Sequence, residues 1–129
     1  MSMKHFAVIL FFLLAVLTVR SEDHAAHLEL DSAYLDLGTV VADSVVEGTM
    51  HFRNVGDSPL KITRIFTDCG CTVPSYPKES IAPGGEGVIK VLFNSKGRMP
   101  GAFRKALRIR STADNSRETL IIKGRVSPK

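Results

Sequence analysis

Cys69 and Cys71 are the only cysteines in the chain, one glycine apart in the stretch TDCGCTVPSYP (67–77). Residues of this type at this spacing support three chemistries. They can close a local disulfide, act as a redox-active or metal-binding thiol pair, or pack as two reduced thiols. Paired thiolates are soft ligands suited to Cu(I). Zinc is disfavoured, because structural zinc takes four ligands and a Cys-x-Cys pair brings only two. No histidine lies near in sequence, and His51 could approach only through folding. Asp68, directly before Cys69, disfavours thiolate formation and argues against a strong nucleophile.

Geometry makes a bridge conditional. Cα atoms two residues apart can reach ~7 Å in extended chain, whereas a disulfide favours about 4.4–6.8 Å. The chain must therefore bend at Gly70, whose φ/ψ freedom suits the purpose. Pro74 and Pro77 would shape the segment that follows. A three-residue ring is worth only roughly 1.6 kcal/mol by the loop-entropy relation, too little to hold a domain together. Such a bridge should be easy to reduce. The three readings stay open at this stage, and no metal site is assigned to the pair.

The amino terminus bears on which reading the compartment favours. Lys4 precedes an unbroken apolar run from Phe6 to Val19. That length fits the hydrophobic region of a secretory signal, while a membrane span needs ~20 residues. Residues 1–21 are expected to be the signal peptide, and the remainder to be exported, without a stable membrane span after processing. An oxidising compartment makes a disulfide the first expectation for the cysteines. Cleavage after Ser21 would expose Glu22-Asp23-His24. A free amine, two amides and that imidazole make the square-planar set preferred by Cu(II) and Ni(II), against the plainer reading of an acidic lead-in.

Charge is unevenly placed. Residues 22–50 hold seven acids and no lysine or arginine, whereas residues 51–129 hold fifteen bases and six acids. An acidic first strand beside basic later strands accounts for this, and export removes nucleic acid as a partner. Arg104, Arg108 and Arg110, with Lys105, Lys96 and Arg98, form a candidate contact for an anionic surface. The alternative is a solvated strand face.

Strand and turn signals run through the rest. AYLDLGTV (33–40) reads as a short strand closed by Gly38. VVEGTMHFRNV (45–55) alternates, with Val46, Met50 and Phe52 on one face. NVGDSP (54–59) clusters turn residues, and APGGEG (82–87) sets Pro83 and Gly84 for a type II turn. In LKITRIF, Leu60 and Ile62 face inward before a bend, and VIKVLF (88–93) is apolar on both faces, as a central strand would be. AFRKALRIRS sets Phe103, Leu107 and Ile109 against Arg104, Arg108 and Arg110. RETLIIKGRV sets Leu120 and Ile122 against Ile121 and Lys123. About seven short strands in ~100 residues predict an all-β, antiparallel immunoglobulin-like sandwich. Residues 22–32 are expected as its lead-in and 33–127 as the domain. With no tryptophan and no cysteines able to bridge two sheets, an antibody-type domain is excluded.

The runs FRNVGDSPLKI (52–62), TDCGCTVPSYPKESIAPGGEGVIKVLFNSKGRMPGAFRKALRI (67–109) and LIIKGRV (120–126) carry a resemblance. They are similar to the exported bacterial family called domain of unknown function 1573, abundant in Bacteroidetes. Its fold resembles that of the immunoglobulin-like group containing major sperm protein and pilus chaperones. The likeness covers roughly residues 35–126 and is most specific at Cys-Gly-Cys-Thr-Val-Pro with the following Tyr-Pro. It implies a sandwich, an envelope location and a role in binding or scaffolding, and it assigns no activity.

Enzyme signatures are missing from the sequence: no G-x-S-x-G elbow, no phosphate-cradling glycine loop opening a helix, no H-E-x-x-H. The chain is therefore expected to be a non-enzymatic, periplasmic or extracellular binding domain with no cofactor. It would present the loop around Pro74–Pro77, or an edge strand, to another envelope protein or to itself. The alternative is a small periplasmic thiol-redox or Cu(I)-handling protein built on Cys69 and Cys71.

Overall fold

The inward halves of the alternating segments meet in one interior, carried by eight strands among the described residues. The computed structural model describes residues 24–129. In chain order the strands are β1 (Leu28–Leu30), β2 (Tyr34–Val41), β3 (Val45–Asn54) and β4 (Ile62–Thr67). They continue with β5 (Thr72–Ser75), β6 (Glu86–Asn94), β7 (Gly101–Ser111) and β8 (Arg117–Ser127). One four-stranded sheet has the order β1-β3-β6-β5 and the other β2-β8-β7-β4. The expected signal peptide, and most of the Glu22-Asp23-His24 terminus, lie outside the described residues.

The architecture is the expected all-β, immunoglobulin-like sandwich, with two differences. The segment expected as a lead-in contributes β1, pairing Leu28 with Asn54 and Leu30 with Phe52. Leu28 is buried there and its amide N–H donates to Asn115 Oδ1 at 2.9 Å, so the segment is anchored on both sides. Second, β2 joins β8 in parallel, whereas the other pairings are antiparallel. A parallel edge arises because β2 and β8 enter their sheet from the same end of the sandwich.

Two irregularities re-aim side chains. Gly38, at φ 69°, does not close β2 but sits in a register shift between Asp36 and Thr39. The inserted residue changes parity, so Leu35 and Leu37 face inward on one side of it and Val40 on the other. A similar shift between Ile62 and Arg64 lets both Ile62 and Ile65 reach the core, where strict alternation would have sent Arg64. β6 lies centrally as expected, with Ile89, Val91 and Phe93 fully buried. Phe93 stacks on Phe103 of the facing sheet, with ring centroids 4.3 Å apart and planes 7° from parallel. At residues 82–85, Gly84 takes φ 80° and the Gly85 N–H bonds the Ala82 carbonyl at 2.8 Å, as a type II turn requires.

Candidate functional site: the Cys-Gly-Cys crossover

The chain changes sheets between β4 and β5, and the cysteines occupy that crossover. Cys69 and Cys71 are joined as a disulfide with Cα atoms 5.2 Å apart. The bend is a tight turn in which the Thr72 N–H donates to the Cys69 carbonyl at 3.2 Å. Thr67 Oγ1 supports it, accepting from the Cys69 N–H at 3.3 Å and donating to the Cys69 carbonyl at 3.2 Å. Gly70 lies in the turn without a left-handed φ, and a Cβ added to it would meet nothing within 4 Å. A side chain there would extend into open space, so the turn itself does not demand glycine.

After the turn, β5 is a short edge strand. The Asn94 N–H donates to the Cys71 carbonyl at 2.8 Å. Antiparallel alternation then points the backbone N–H and C=O groups of Val73 and Ser75 at β6 and leaves the backbone groups of Thr72 and Pro74 facing the open edge. Pro74 thus stands where no N–H is needed, and it blunts the edge against further pairing. Tyr76 pins the next segment: its hydroxyl donates to the Thr63 carbonyl of the opposite sheet at 3.3 Å, and the Lys78 ammonium sits 3.6 Å above its ring. Pro77 follows, half-buried.

The residue that completes the site comes from the loop between β6 and β7. The Arg98 guanidinium donates through Nη2 to Cys71 Sγ at 3.0 Å and also contacts Cys69 Sγ. Its loop is held firmly. Buried Ser95 donates through Oγ to the Val41 carbonyl at 2.8 Å and accepts the Ser44 N–H at 2.9 Å. The Arg98 N–H closes a turn onto the Ser95 carbonyl at 2.9 Å, and Gly97 takes φ 75°. An open groove of about 480 Å³ runs beside the bridge, lined by Cys69, Gly70, Cys71, Asn94, Lys96 and Arg98 among others.

Asp68, next to Cys69 in sequence, is engaged by a cation of its own. Arg108 grips its carboxylate with both terminal nitrogens, at 3.2 and 3.3 Å. The sulfurs meet Arg98 instead, a cation 27 residues distant from Cys71 in sequence. The other arginines singled out from sequence also have partners. Arg104 and Lys123 lie 5.5 and 5.1 Å from the Tyr34 ring centroid, and Arg110 lies 5.5 Å from that of Phe66. His51 points outward on β3, away from the cysteine turn. Among the described residues, no group of three or more His, Cys, Asp and Glu side chains is arranged to hold a metal ion.

The family model described as "protein of unknown function (DUF1573)" matches residues 28–126. The chain belongs to the DUF1573 family. No curated protein sequence matches it. In fold, the DUF1573 domain is similar to a protein of unknown function from Porphyromonas gingivalis W83, at 17% identity and TM-score 0.68. That likeness covers 83% of this chain and 50% of the other, so the domain spans half of that protein. It is also similar to PapD-like domain 7 of human CEP192, at 10% identity and TM-score 0.64, covering 87% of this chain and 93% of that one. A third likeness is to the periplasmic chaperone SfaE, at 11% identity and TM-score 0.56, covering 80% of this chain and 58% of that one. At these identities the likeness establishes the PapD-like, immunoglobulin-like fold of the DUF1573 domain. Among its described residues no helix is long and apolar enough to cross a membrane.

Proposed function

We propose that this chain is an exported, non-enzymatic binding or scaffold domain of the bacterial envelope, which docks another envelope protein or a second copy of itself. The observation that carries this reading is an apolar surface next to the cysteine crossover. Val73 and Leu92 are register partners on β5 and β6, yet they are 56% and 43% exposed. Met99, which follows Arg98, is 86% exposed. Single exposed apolar residues are ordinary, whereas neighbouring ones on a strand pair, beside a rigid loop, suit a contact surface. The PapD-like fold and the apolar amino-terminal run support the same reading.

The docking mode favoured is the β5–β6 outer face together with the loop around Pro74–Pro77, rather than strand addition, because Pro74 blunts the β5 edge. The test is affinity capture from envelope extracts with wild type and a Val73→Asp/Leu92→Asp variant, both checked for fold by circular dichroism. A partner retained by wild type and lost by the variant is the expected result. Equal retention by a folded variant would place the contact elsewhere and defeat this docking mode.

A further inference from the structure

We infer that the Cys69–Cys71 bridge is an exchangeable disulfide that oxidises thiols, with Arg98 receiving the sulfur that leaves. Four observations converge on it. The bridge closes only a three-residue ring in a crossover turn, apart from the larger core cluster, and Cys71 packs partly buried against the smaller cluster of Val40, Phe93 and Val126. The small ring joins no two strands, so its reduction is expected to leave both sheets paired. An open groove gives a sulfur nucleophile access, and Gly70 puts no side chain over the approach. One guanidinium reaches both sulfurs, and the Cys71 amide N–H additionally donates to Cys69 Sγ at 3.2 Å. Finally, Asp68, the carboxylate next to Cys69 in sequence, has both oxygens bonded by Arg108.

A substrate thiolate attacks one sulfur of the bridge, forming a mixed disulfide, and the other sulfur departs as a thiolate against Arg98. A second substrate thiolate then attacks the substrate sulfur of the mixed disulfide. The substrate leaves as a disulfide, the second cysteine is released, and two protons taken up from the substrate thiols complete the dithiol. Two substrate thiols are oxidised and one protein disulfide is reduced. A cation on the leaving sulfur stabilises the reduced state, which raises the oxidising power of the pair. Lys96, lining the same groove, adds positive charge that favours anionic thiols. This chemistry is independent of the partner held by the β5–β6 face.

The test equilibrates the full exported chain in glutathione buffers of graded poise, then counts free thiols after alkylation. Wild type is expected to become reduced while a measurable fraction of glutathione is still oxidised. In Arg98→Gln the equilibrium constant for reduction should fall at least tenfold, about 30 mV for a two-electron couple. An equilibrium constant in folded Arg98→Gln within twofold of wild type would overturn the role of Arg98. A bridge that stays oxidised in fully reduced glutathione would overturn the exchange itself. Should Arg98→Gln not fold, thiolate absorbance of reduced wild type decides: one thiol is expected to ionise below the ordinary range near ~8.5, and two thiols titrating at or above it would refute the proposal. Parallel rates with glutathione and with a reduced, unfolded two-cysteine peptide distinguish a small-molecule thiol from a polypeptide one as the faster substrate. Exchange with neither counts against the proposal.

Discussion

Asn54 is a polar residue with no exposed surface, and its side chain joins three separate segments. Oδ1 accepts the N–H groups of His27 and Gly56 at 3.3 and 3.0 Å, and Nδ2 donates to the carbonyls of Ser58 and Ile81 at 2.7 and 3.0 Å. Replacing Asn54 with Ala removes the partner of the His27 and Gly56 amides and of the Ser58 carbonyl, while the Ile81 carbonyl keeps the Leu60 N–H at 2.8 Å, so chemical denaturation should show a loss of about 2–4 kcal/mol. Asp114 behaves differently. Chiefly the hydrogen bond from His27 Nδ1, at 2.6 Å, holds its carboxyl below the ordinary value of 3.8; desolvation opposes it, and the Asn115 N–H assists. A depressed carboxyl contributes stability that is present above its ordinary value and lost as pH falls through the lowered one. Melting curves of wild type and Asp114→Asn should therefore differ at neutral pH and draw together only as the pH falls below 3.8 and through the lowered value. A gap that stays constant into acid would contradict the pairing. At this scale, sequence identified Cys69 and Cys71 but not their environment. Arg98 approaches from another loop, and Arg108 withdraws Asp68, and neither contact leaves a local signal.

Elements were legible wherever alternation ran without interruption. β3, β6, β7 and β8 follow the period-two pattern, and the 82–85 turn announces itself through Pro83 and Gly84. β1 was obscured because three residues cannot display a period, and only tertiary bonds to Asn54 and Asn115 fix them. The bulges in β2 and β4 were hidden for a related reason: an inserted residue reverses parity, and a parity break in sequence looks like a strand end. Gly124 on β8 illustrates the packing that follows. A Cβ there would stand 2.7 Å from the Phe103 ring and 2.8 Å from the Gly38 carbonyl. Gly124→Ala should thus cost about 1–3 kcal/mol through displacement of the Phe93–Phe103 stack, measurable in urea. A gain in stability, as expected for an unhindered Gly→Ala change, would contradict the packing account.

For the molecule as a whole, the larger core cluster lies apart from the cysteine crossover, which meets the smaller cluster of Val40, Phe93 and Val126 through Cys71. The core is built from residues such as Phe52, Leu60, Ile89, Leu107 and Leu120, contributed by both sheets, and needs no covalent link. A Cys69→Ser/Cys71→Ser variant should keep its β-sheet spectrum and lose no more than about 2 kcal/mol. Collapse of the fold would contradict that separation. The fold class was legible because composition, turn spacing and alternation agree. Use was not, because the contact surface depends on which apolar side chains the sheets leave outside. The most direct measurement is photocrosslinking in living cells from a probe replacing Leu92, with a probe replacing exposed Thr119 as control, followed by mass spectrometry of the adducts. A discrete adduct from position 92 alone, with an envelope protein or a second copy of this chain, is the predicted result. The same weak background from both positions would contradict a binding role for this face.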